Sequence, residues 1–293
     1  MTTNVNDFIA VTSDVKTAGA SVWWRLSGEF PRGLLRFHLE DSGLDADEWL
    51  PSEPSWERCF GRAVRSLYKD KTHNIETLKG GGYAIIKKTK SETDVAHETS
   101  FAVRVVAGKV EAVEYAPVDA LLDITEEAVH FSKTVIADDV SAWLIKCAEK
   151  LGGVSLRERG GIYFIPNGAL DAWKALTSAL VAASNGAHTV YSLTTLHEKD
   201  AVAAILDALT TEAEEFFSSC SEKIEKGTIG GKRAISNRMS DSENLLSKIR
   251  SYETLLGRKL ETLTDQLSDV ELELSAALLS AEEGDDSPLK LAL

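Results

Sequence analysis

The sequence predicts an α+β protein with a small antiparallel sheet, a helix-hairpin-helix unit and a C-terminal long antiparallel helical hairpin. Three observations support this prediction. Apolar residues alternate with period 2 over residues 83–117, which is typical of strands. Two short apolar runs flank a Gly-Gly pair within residues 153–166, as in a hairpin. Between Pro166 and Pro288 no proline interrupts two long apolar stripes at helical spacing.

Two prolines mark the predicted helix starts in the N-terminal third. Pro31 suits the first turn of one helix, and Pro54 suits the first turn of a second helix that runs to about Lys69. Glycines at 80–82 then break the chain. The segments YAIIKKTK, TSFAVRVVAG and KVEAVEYAP predict three antiparallel strands. Residues 1–20 are polar and weakly patterned, so we expect a loose arm or an edge strand there.

Residues 118–196 are predicted to form the helix-hairpin-helix-strand unit. One helix begins near Asp138, which suits an N-cap. The hairpin covers residues 153–166 with its turn at Arg159 to Gly161, because tandem glycines permit positive φ. A further helix and the short strand HTVYSL complete the unit. A helix followed by a hairpin also suits a winged-helix DNA reader, which stays open beside a packing unit without an assigned role.

Two apolar stripes predict the long helical hairpin. The first consists of Val202, Ile205, Leu209, Ala213, Phe216, Cys220 and Ile224. The second consists of Leu245, Ile249, Tyr252, Leu256, Leu260, Leu263, Leu267, Val270 and Leu274. Steps of three and four residues keep each stripe on one helix face. We expect the chain to reverse around Gly227 to Gly231, and the second helix to run unbroken from about Arg233 to Glu282.

The end of the second stripe has no partner within the predicted hairpin, because the second helix is longer than the first. Leu267, Val270 and Leu274 lie in this unpaired part. An exposed row of leucines is an association surface. We therefore expect these three residues to pack on the globular part or on a second copy of the chain, and they are the candidate self-association residues.

The predicted organisation has four segments. Residues 1–117 are an N-terminal α+β domain, residues 118–196 the helix-hairpin-helix-strand unit, and residues 197–283 the long helical hairpin. Residues 284–293 form a tail that we expect to be mobile. Its acidic stretch followed by alternating leucines also suits a short docking peptide.

Charge is distributed unevenly along the chain. The net charge is -14, of which residues 1–90 contribute +1 and residues 91–293 contribute -15. A polyanion is repelled by such a surface, so nonspecific nucleic-acid binding by the whole protein is disfavoured. A local basic patch in the N-terminal third remains compatible with this balance.

One predicted helix face concentrates positive charge. Arg58, Arg62, Arg65 and Lys69 are separated by 4, 3 and 4 residues, so they project from the same side of the helix that begins at Pro54. Such a row suits phosphates or an acidic protein surface, which makes it the candidate partner- or nucleic-acid-binding site. A solvated face balanced by nearby acids is the alternative interpretation.

The sequence carries no catalytic or cofactor signature. The segment GTIGGKR at residues 227–233 has the wrong spacing for a phosphate-binding loop and joins two helices, so we interpret it as a turn. Cys59, Cys147 and Cys220 are far apart and in apolar contexts, which predicts buried reduced thiols and neither a metal site nor a disulfide. We expect no enzyme activity, no metal, no cofactor, no membrane segment and a cytoplasmic location.

Several local motifs together resemble a known family. They are GGIYFIP at residues 160–166, the Phe30-Pro31 helix start, and Pro54 followed by FGRA at residues 60–63. With the long helices, they are similar to an uncharacterised family of bacteriophage and bacterial proteins that has a GGxYFxP-type hairpin motif. The resemblance covers most of the chain. It implies a phage or mobile-element setting, in which accessory proteins bind host or nucleic-acid machinery, and it implies no chemistry.

These observations favour a non-enzymatic interaction protein that binds a protein partner or itself through its long helices. The alternative is a nucleic-acid-associated accessory protein that uses the basic helix face.

Overall fold

The computed structural model describes residues 16–70, 72–90, 95–113, 115–158 and 160–283. It confirms the α+β class. The chain divides into two compact units, each made of separated segments. The first, here the bundle unit, consists within these ranges of residues 16–25, 144–174 and 189–283. The second, here the meander unit, consists of residues 26–143 and 175–188. The meander unit therefore crosses the boundary predicted at 117, and the bundle unit combines segments from both sides of 117 and 196.

The meander unit contains most of the elements of the N-terminal half. Its helices are α1 (Arg32–Asp41), α2 (Ala46–Trp49), α3 (Trp56–Tyr68) and α4 (Val118–Lys133). Its strands are β2 (Glu29–Pro31), β3 (His73–Thr77), β4 (Tyr83–Lys90), β5 (Val95–Val106), β6 (Lys109–Ala112) and β7 (Thr134–Ile136). Strands β3 to β6 form an antiparallel sheet in chain order, and β2 pairs with β7. Helices α3 and α4 pack with this sheet around one apolar core.

Two local features explain where α3 and β4 begin. The Ser55 hydroxyl accepts a hydrogen bond from the Arg58 amide at 3.3 Å, which caps the first turn of α3. Before β4 the chain turns at Gly82, whose φ is +106°. A Cβ there would lie 2.5 Å from the Val103 carbonyl oxygen, so both the backbone angle and the close strand approach require glycine.

The bundle unit contains a four-stranded sheet in the order β10-β1-β9-β8. Its strands are β1 (Thr17–Arg25), β8 (Val154–Ser155), β9 (Tyr163–Pro166) and β10 (Thr189–Leu196). Strand β1 pairs antiparallel with β10 on one edge and with β9 on the other. The described part of the predicted N-terminal arm is therefore an interior strand. This pairing across the whole chain also explains why the units are built from separated segments.

The predicted hairpin is present at β8 and β9. The two strands pair antiparallel, and the Leu156 amide donates to the Ile162 carbonyl at 2.9 Å. Val154 and Phe164 are buried as expected, whereas Ile162 is 40% exposed. Arg159, at the predicted turn, lies outside the described residues. Since β9 also pairs with β1, the hairpin belongs to a larger sheet.

Two helices link the strands and are divided between the units. Helix α5 (Ala137–Lys150) belongs to the meander unit up to Trp143 and to the bundle unit beyond it. Helix α6 (Leu170–Ala183) belongs to the bundle unit up to Lys174. A short 3-10 helix (Asn167–Ala169) precedes α6.

The C-terminal region contains three long helices, where the sequence predicted two. They are α7 (Lys199–Glu225), α8 (Lys232–Leu256) and α9 (Glu261–Glu283). The predicted reversal between the first two is present at residues 227–231. The unbroken second helix is wrong, because Gly257 ends α8 in the left-handed conformation, with φ +64°. The Glu253 carboxylate then accepts from the Leu260 amide at 2.8 Å and fixes the turn into α9.

This second turn brings α9 back onto α7 and α8. Their apolar stripes form one core together with Ala18, Val154 and Phe164 of the sheet. The three helices therefore bury their stripes within the chain. None of the helices that the structure describes combines the length and apolar character needed to cross a bilayer.

Candidate functional site

The basic face of α3 is partly engaged within the meander unit. The Arg62 guanidinium donates to both carboxylate oxygens of Asp139, at 2.7 and 2.6 Å. Arg58 donates to the same carboxylate at 2.8 Å. The side chain of Arg62 is 13% exposed and that of Arg58 57%. The hydrogen bond with Asp139 raises the pKa of Arg62 above its ordinary value. Arg62 is therefore largely buried in an ion pair, whereas Arg58 stays exposed.

The rest of this face remains open to solvent. Arg65 is exposed, and its Nη1 donates to the Gly61 carbonyl at 3.0 Å while its guanidinium lies 5.2 Å from the Tyr83 ring centroid. Lys69 is exposed at the C-cap of α3. The spacing therefore places the cations on one helix as predicted. However, one carboxylate already neutralises part of the row, so the face offers less free positive charge than the sequence suggests.

The predicted self-association row is not a surface. Leu267 is 1% exposed, Val270 4% and Leu274 0%, because α9 packs them against α7 and α8. The sequence missed this packing because the step from Leu256 to Leu260 continues the stripe through the turn at Gly257. These residues are part of the core, which corrects their assignment as association residues.

The bundle unit contains a groove of about 1420 Å³. We call it the bundle groove. Its walls are α7, α8, the end of α5 and the β8–β9 hairpin. Apolar side chains that pack on the core contribute to its lining, namely Leu156, Phe216, Leu245 and Leu255. Charged side chains line it as well, namely Lys146, Glu149, Lys150, Arg157, Glu158, Asp207, Glu212, Glu215, Asp241 and Lys248.

Lys248 is the central cation of this groove. Its Nζ donates to both carboxylate oxygens of Glu212 at 2.7 Å each and to the Gly153 carbonyl at 2.7 Å. The lysine side chain is 11% exposed. Because Gly153 follows the C-terminus of α5, the ammonium also lies at the negative end of that helix. Lys248 therefore connects the turn after α5 to α7 and α8.

Two further groups complete this cluster. The Tyr252 hydroxyl donates to the Gly152 carbonyl at 2.9 Å, and burial raises the pKa of this phenol well above its ordinary value. Burial also raises the pKa of Glu149, and repulsion by Glu212 adds to the effect. The pKa of Tyr163, which lines the same groove, is raised by its burial. The cluster thus holds neutral hydroxyls, the Lys248–Glu212 pair and a second carboxyl, Glu149.

The described cysteines match their predicted state. Cys59, Cys147 and Cys220 are free and buried. Burial raises the pKa of each thiol, for Cys147 to about 12, so none of them is a thiolate at neutral pH. Within the described residues, no group of three or more His, Cys, Asp or Glu side chains is arranged to hold a metal ion.

Sequence reasoning missed the groove cluster. Lys248 and Glu212 carry no motif, and Tyr252 was assigned only to the apolar stripe. One signal was present in the sequence: Lys248 directly precedes Ile249, a stripe residue, and so lies at the edge of the buried face of its helix. A lysine at such a position keeps its stem on apolar surface and needs a polar partner nearby.

The fold and its groove define an α+β protein with a three-helix C-terminal region. The chain belongs to a family of unknown function, DUF6744, whose family model matches residues 18–283. Neither a curated protein nor a solved structure matches the chain.

Proposed function

We propose that this chain is a non-enzymatic interaction protein of phage or mobile-element origin that binds a protein partner in the bundle groove. The observation that carries the proposal is the groove itself, at about 1420 Å³ and lined by both apolar and charged residues. Small-molecule sites usually measure about 300–1,000 Å³. A larger open groove with a mixed apolar and charged lining has the composition of a protein interface.

The groups of the groove cluster support binding over catalysis. Lys248 directs its ammonium to Gly153 and Glu212, and Tyr252 directs its hydroxyl to Gly152. These bonds hold the walls of the groove together. A catalytic acid, base or nucleophile instead needs its reactive atom directed at a substrate. The cluster is therefore suited to shaping a binding surface.

The nucleic-acid alternative has weaker support. Phosphate binding uses unpaired cations, whereas Asp139 already accepts from Arg58 and Arg62. A gel shift with duplex and single-stranded DNA tests this alternative. A complex that weakens as salt rises, and weakens further in Arg65→Gln and Lys69→Gln variants, would favour the basic face over the groove.

The phage or mobile-element origin rests on the resemblance of the GGIYFIP hairpin and the accompanying motifs. It is tested by the source of the partner. We expect affinity capture from phage-infected cells to yield a protein that uninfected cells of the same host lack, or a host component bound in both. Capture that yields only nucleic acid would contradict the proposal.

The groove itself is tested with substitutions that fill it. Ser251 lines the groove on α8 and is exposed, so Ser251→Trp places a large ring in the groove without disturbing the core. Ser236 lies on the same helix, is exposed and does not line the groove, so Ser236→Trp is the matched control. We expect the first variant to lose the captured protein and the second to retain it. Equal capture by both would rule out the groove as the binding site.

A further inference from the structure

We propose that two copies of this chain pair through the free edge of β10 and join their four-stranded sheets into one continuous sheet. This inference is independent of the bundle groove and of the corrected leucine row.

Strand β10 is the outermost strand of its sheet. It pairs along one edge with β1, from Thr189 opposite Arg25 to Thr195 opposite Gly19. In the part of the chain that the structure describes, no strand pairs with its other edge. All four residues from Tyr191 to Thr194 are exposed, so both faces of this stretch meet solvent. An edge strand of eight residues presents a row of main-chain donors and acceptors to any strand that can approach.

The other edges of the two four-stranded sheets carry features that discourage pairing. Strand β3 contains Glu76, β6 contains Lys109 and Glu111, and β8 has only two residues. Charged and short edges are the usual protection against strand addition. Strand β10, TVYSLTTL, contains no charged residue and no proline. It combines β-branched residues with Tyr191 and with Leu193, which is 61% exposed. This edge is therefore built for pairing.

Charge restricts where two copies of this chain can meet. At a net charge of -14, contact between two copies juxtaposes like charges over much of the surface. The β10 edge avoids this cost because it is uncharged. Its polar residues and its one exposed leucine also make it compatible with water before the copies meet.

Two-fold symmetry restricts the register of such a pair. Antiparallel strands that continue one sheet must keep matching faces together, so the two-fold axis passes through a residue and not between two residues. An axis at Ser192 places Tyr191 of each copy opposite Leu193 of the other. An aromatic residue opposite an aliphatic one is a favourable cross-strand pair. Ser192 then faces Ser192 of the second copy.

Charge substitution at Ser192 tests the pairing. We expect light scattering to give the wild type the mass of two 31.9 kDa chains. Ser192→Asp places two carboxylates opposite each other, and Ser192→Lys places two ammonium groups there, so each variant alone should dissociate at least about tenfold more readily. Mixing the two variants should restore the dimer, because Asp then faces Lys. Ser236→Asp, an exposed serine on α8, is the control that stays dimeric.

Cross-linking checks the register independently. Ser192→Cys should form a disulfide-linked dimer on mild oxidation, whereas Ser236→Cys should not. The three native cysteines are buried and do not compete. A monomeric wild type overturns the proposal. A wild-type dimer that is unaffected by Ser192→Asp and not linked by Ser192→Cys also overturns it, since such a dimer uses another surface.

Discussion

The two polar clusters of this chain are built in opposite proportions. In the meander unit two guanidiniums, Arg58 and Arg62, share the single carboxylate of Asp139. In the bundle unit two carboxyls, Glu149 and Glu212, lie near the ammonium of Lys248; only Glu212 is bonded to it directly, and Lys146 also attracts Glu149. In each cluster the shared group, Asp139 or Lys248, is largely buried. Asp139 accepts several hydrogen bonds, and Lys248 donates several.

This comparison teaches which residue each cluster depends on. Removing the shared group leaves like charges together in a partly desolvated place, whereas removing one of the two sharing groups relieves repulsion. The number of charges on a surface says little about stability when the pairs are exposed. The place of the shared charge, Asp139 or Lys248, therefore decides how much a substitution changes the stability. The following predictions test this difference, beginning with the largest effect.

Asp139→Asn should have the largest effect. It removes the charge that holds both arginines and leaves Arg62, at 13% exposure, without a bonded counter-charge. Hydrogen bonds to charged groups contribute about 1.5–3 kcal/mol each, so we expect a loss of about 2–3 kcal/mol in the free energy of unfolding. Urea denaturation measures the loss, and hydrogen exchange should show it in α3. Asp138→Asn, at an exposed neighbouring position, should change little. If both variants lost the same free energy of unfolding, the ion pair between Asp139 and Arg62 would contribute no more than an exposed aspartate does.

Lys248→Met should have the next largest effect. Methionine keeps much of the apolar stem but loses three hydrogen bonds, to Gly153 and to the two oxygens of Glu212. Glu212 is 42% exposed and regains water, so we expect a loss of only about 1–2 kcal/mol. Increased hydrogen exchange should appear at the turn after α5. Lys146→Met, exposed on α5, is the control. A loss larger than that of Asp139→Asn would reverse the order of the two clusters.

The sequence predicted the faces of these helices but not their partners. The spacing of Arg58 and Arg62 correctly places them on one side of α3. Asp139, however, lies 77 residues from Arg62 in the chain, and Gly153 lies 95 residues from Lys248. Periodicity describes one helix at a time and contains no information about which distant side chain faces it. Only the tertiary arrangement supplies that partner.

The same limit explains the corrected helix. Gly257 is a single residue, and the step from Leu256 to Leu260 is helical, so the stripe alone predicts continuity. The break depends on a left-handed backbone at Gly257 and on the Glu253 carboxylate, which accepts from Leu260. Hairpin and strand patterns, by contrast, are local. The β8–β9 hairpin could therefore be predicted, whereas its place beside β1 could not.

Glu149→Gln should stabilise the protein slightly at neutral pH. Burial and the nearby Glu212 carboxylate raise the pKa of Glu149 above its ordinary value of 4.5. The folded chain therefore holds this proton more tightly than the unfolded chain. The resulting stability is present below the unfolded pKa and is lost as pH rises through the folded pKa.

Replacing Glu149 with glutamine removes this loss of stability at high pH, because glutamine does not ionise. We expect the free energy of unfolding at neutral pH to increase by less than about 1 kcal/mol, because Glu149 is only partly buried and water screens its charge. The difference from wild type should disappear in acid. Glu215→Gln, on the exposed side of α7, is the matched control for charge. A destabilised Glu149→Gln variant at neutral pH would mean that Glu149 contributes a bond to the cluster and is not its surplus charge.

Arg58→Gln should have the smallest effect. Arg58 is 57% exposed, and its loss leaves the two bonds between Arg62 and Asp139 in place. Exposed ion pairs contribute about 0–1 kcal/mol, and the remaining arginine gains the whole carboxylate, so we expect a change within about 0.5 kcal/mol. The matched measurement is Arg62→Gln, which removes both bonds to the half-buried carboxylate. Unfolding of the two variants in urea separates the roles. If Arg58→Gln lowers the free energy of unfolding as much as Arg62→Gln, the two arginines act as one unit. Asp139 would then require both positive charges, and Arg58 would not be dispensable.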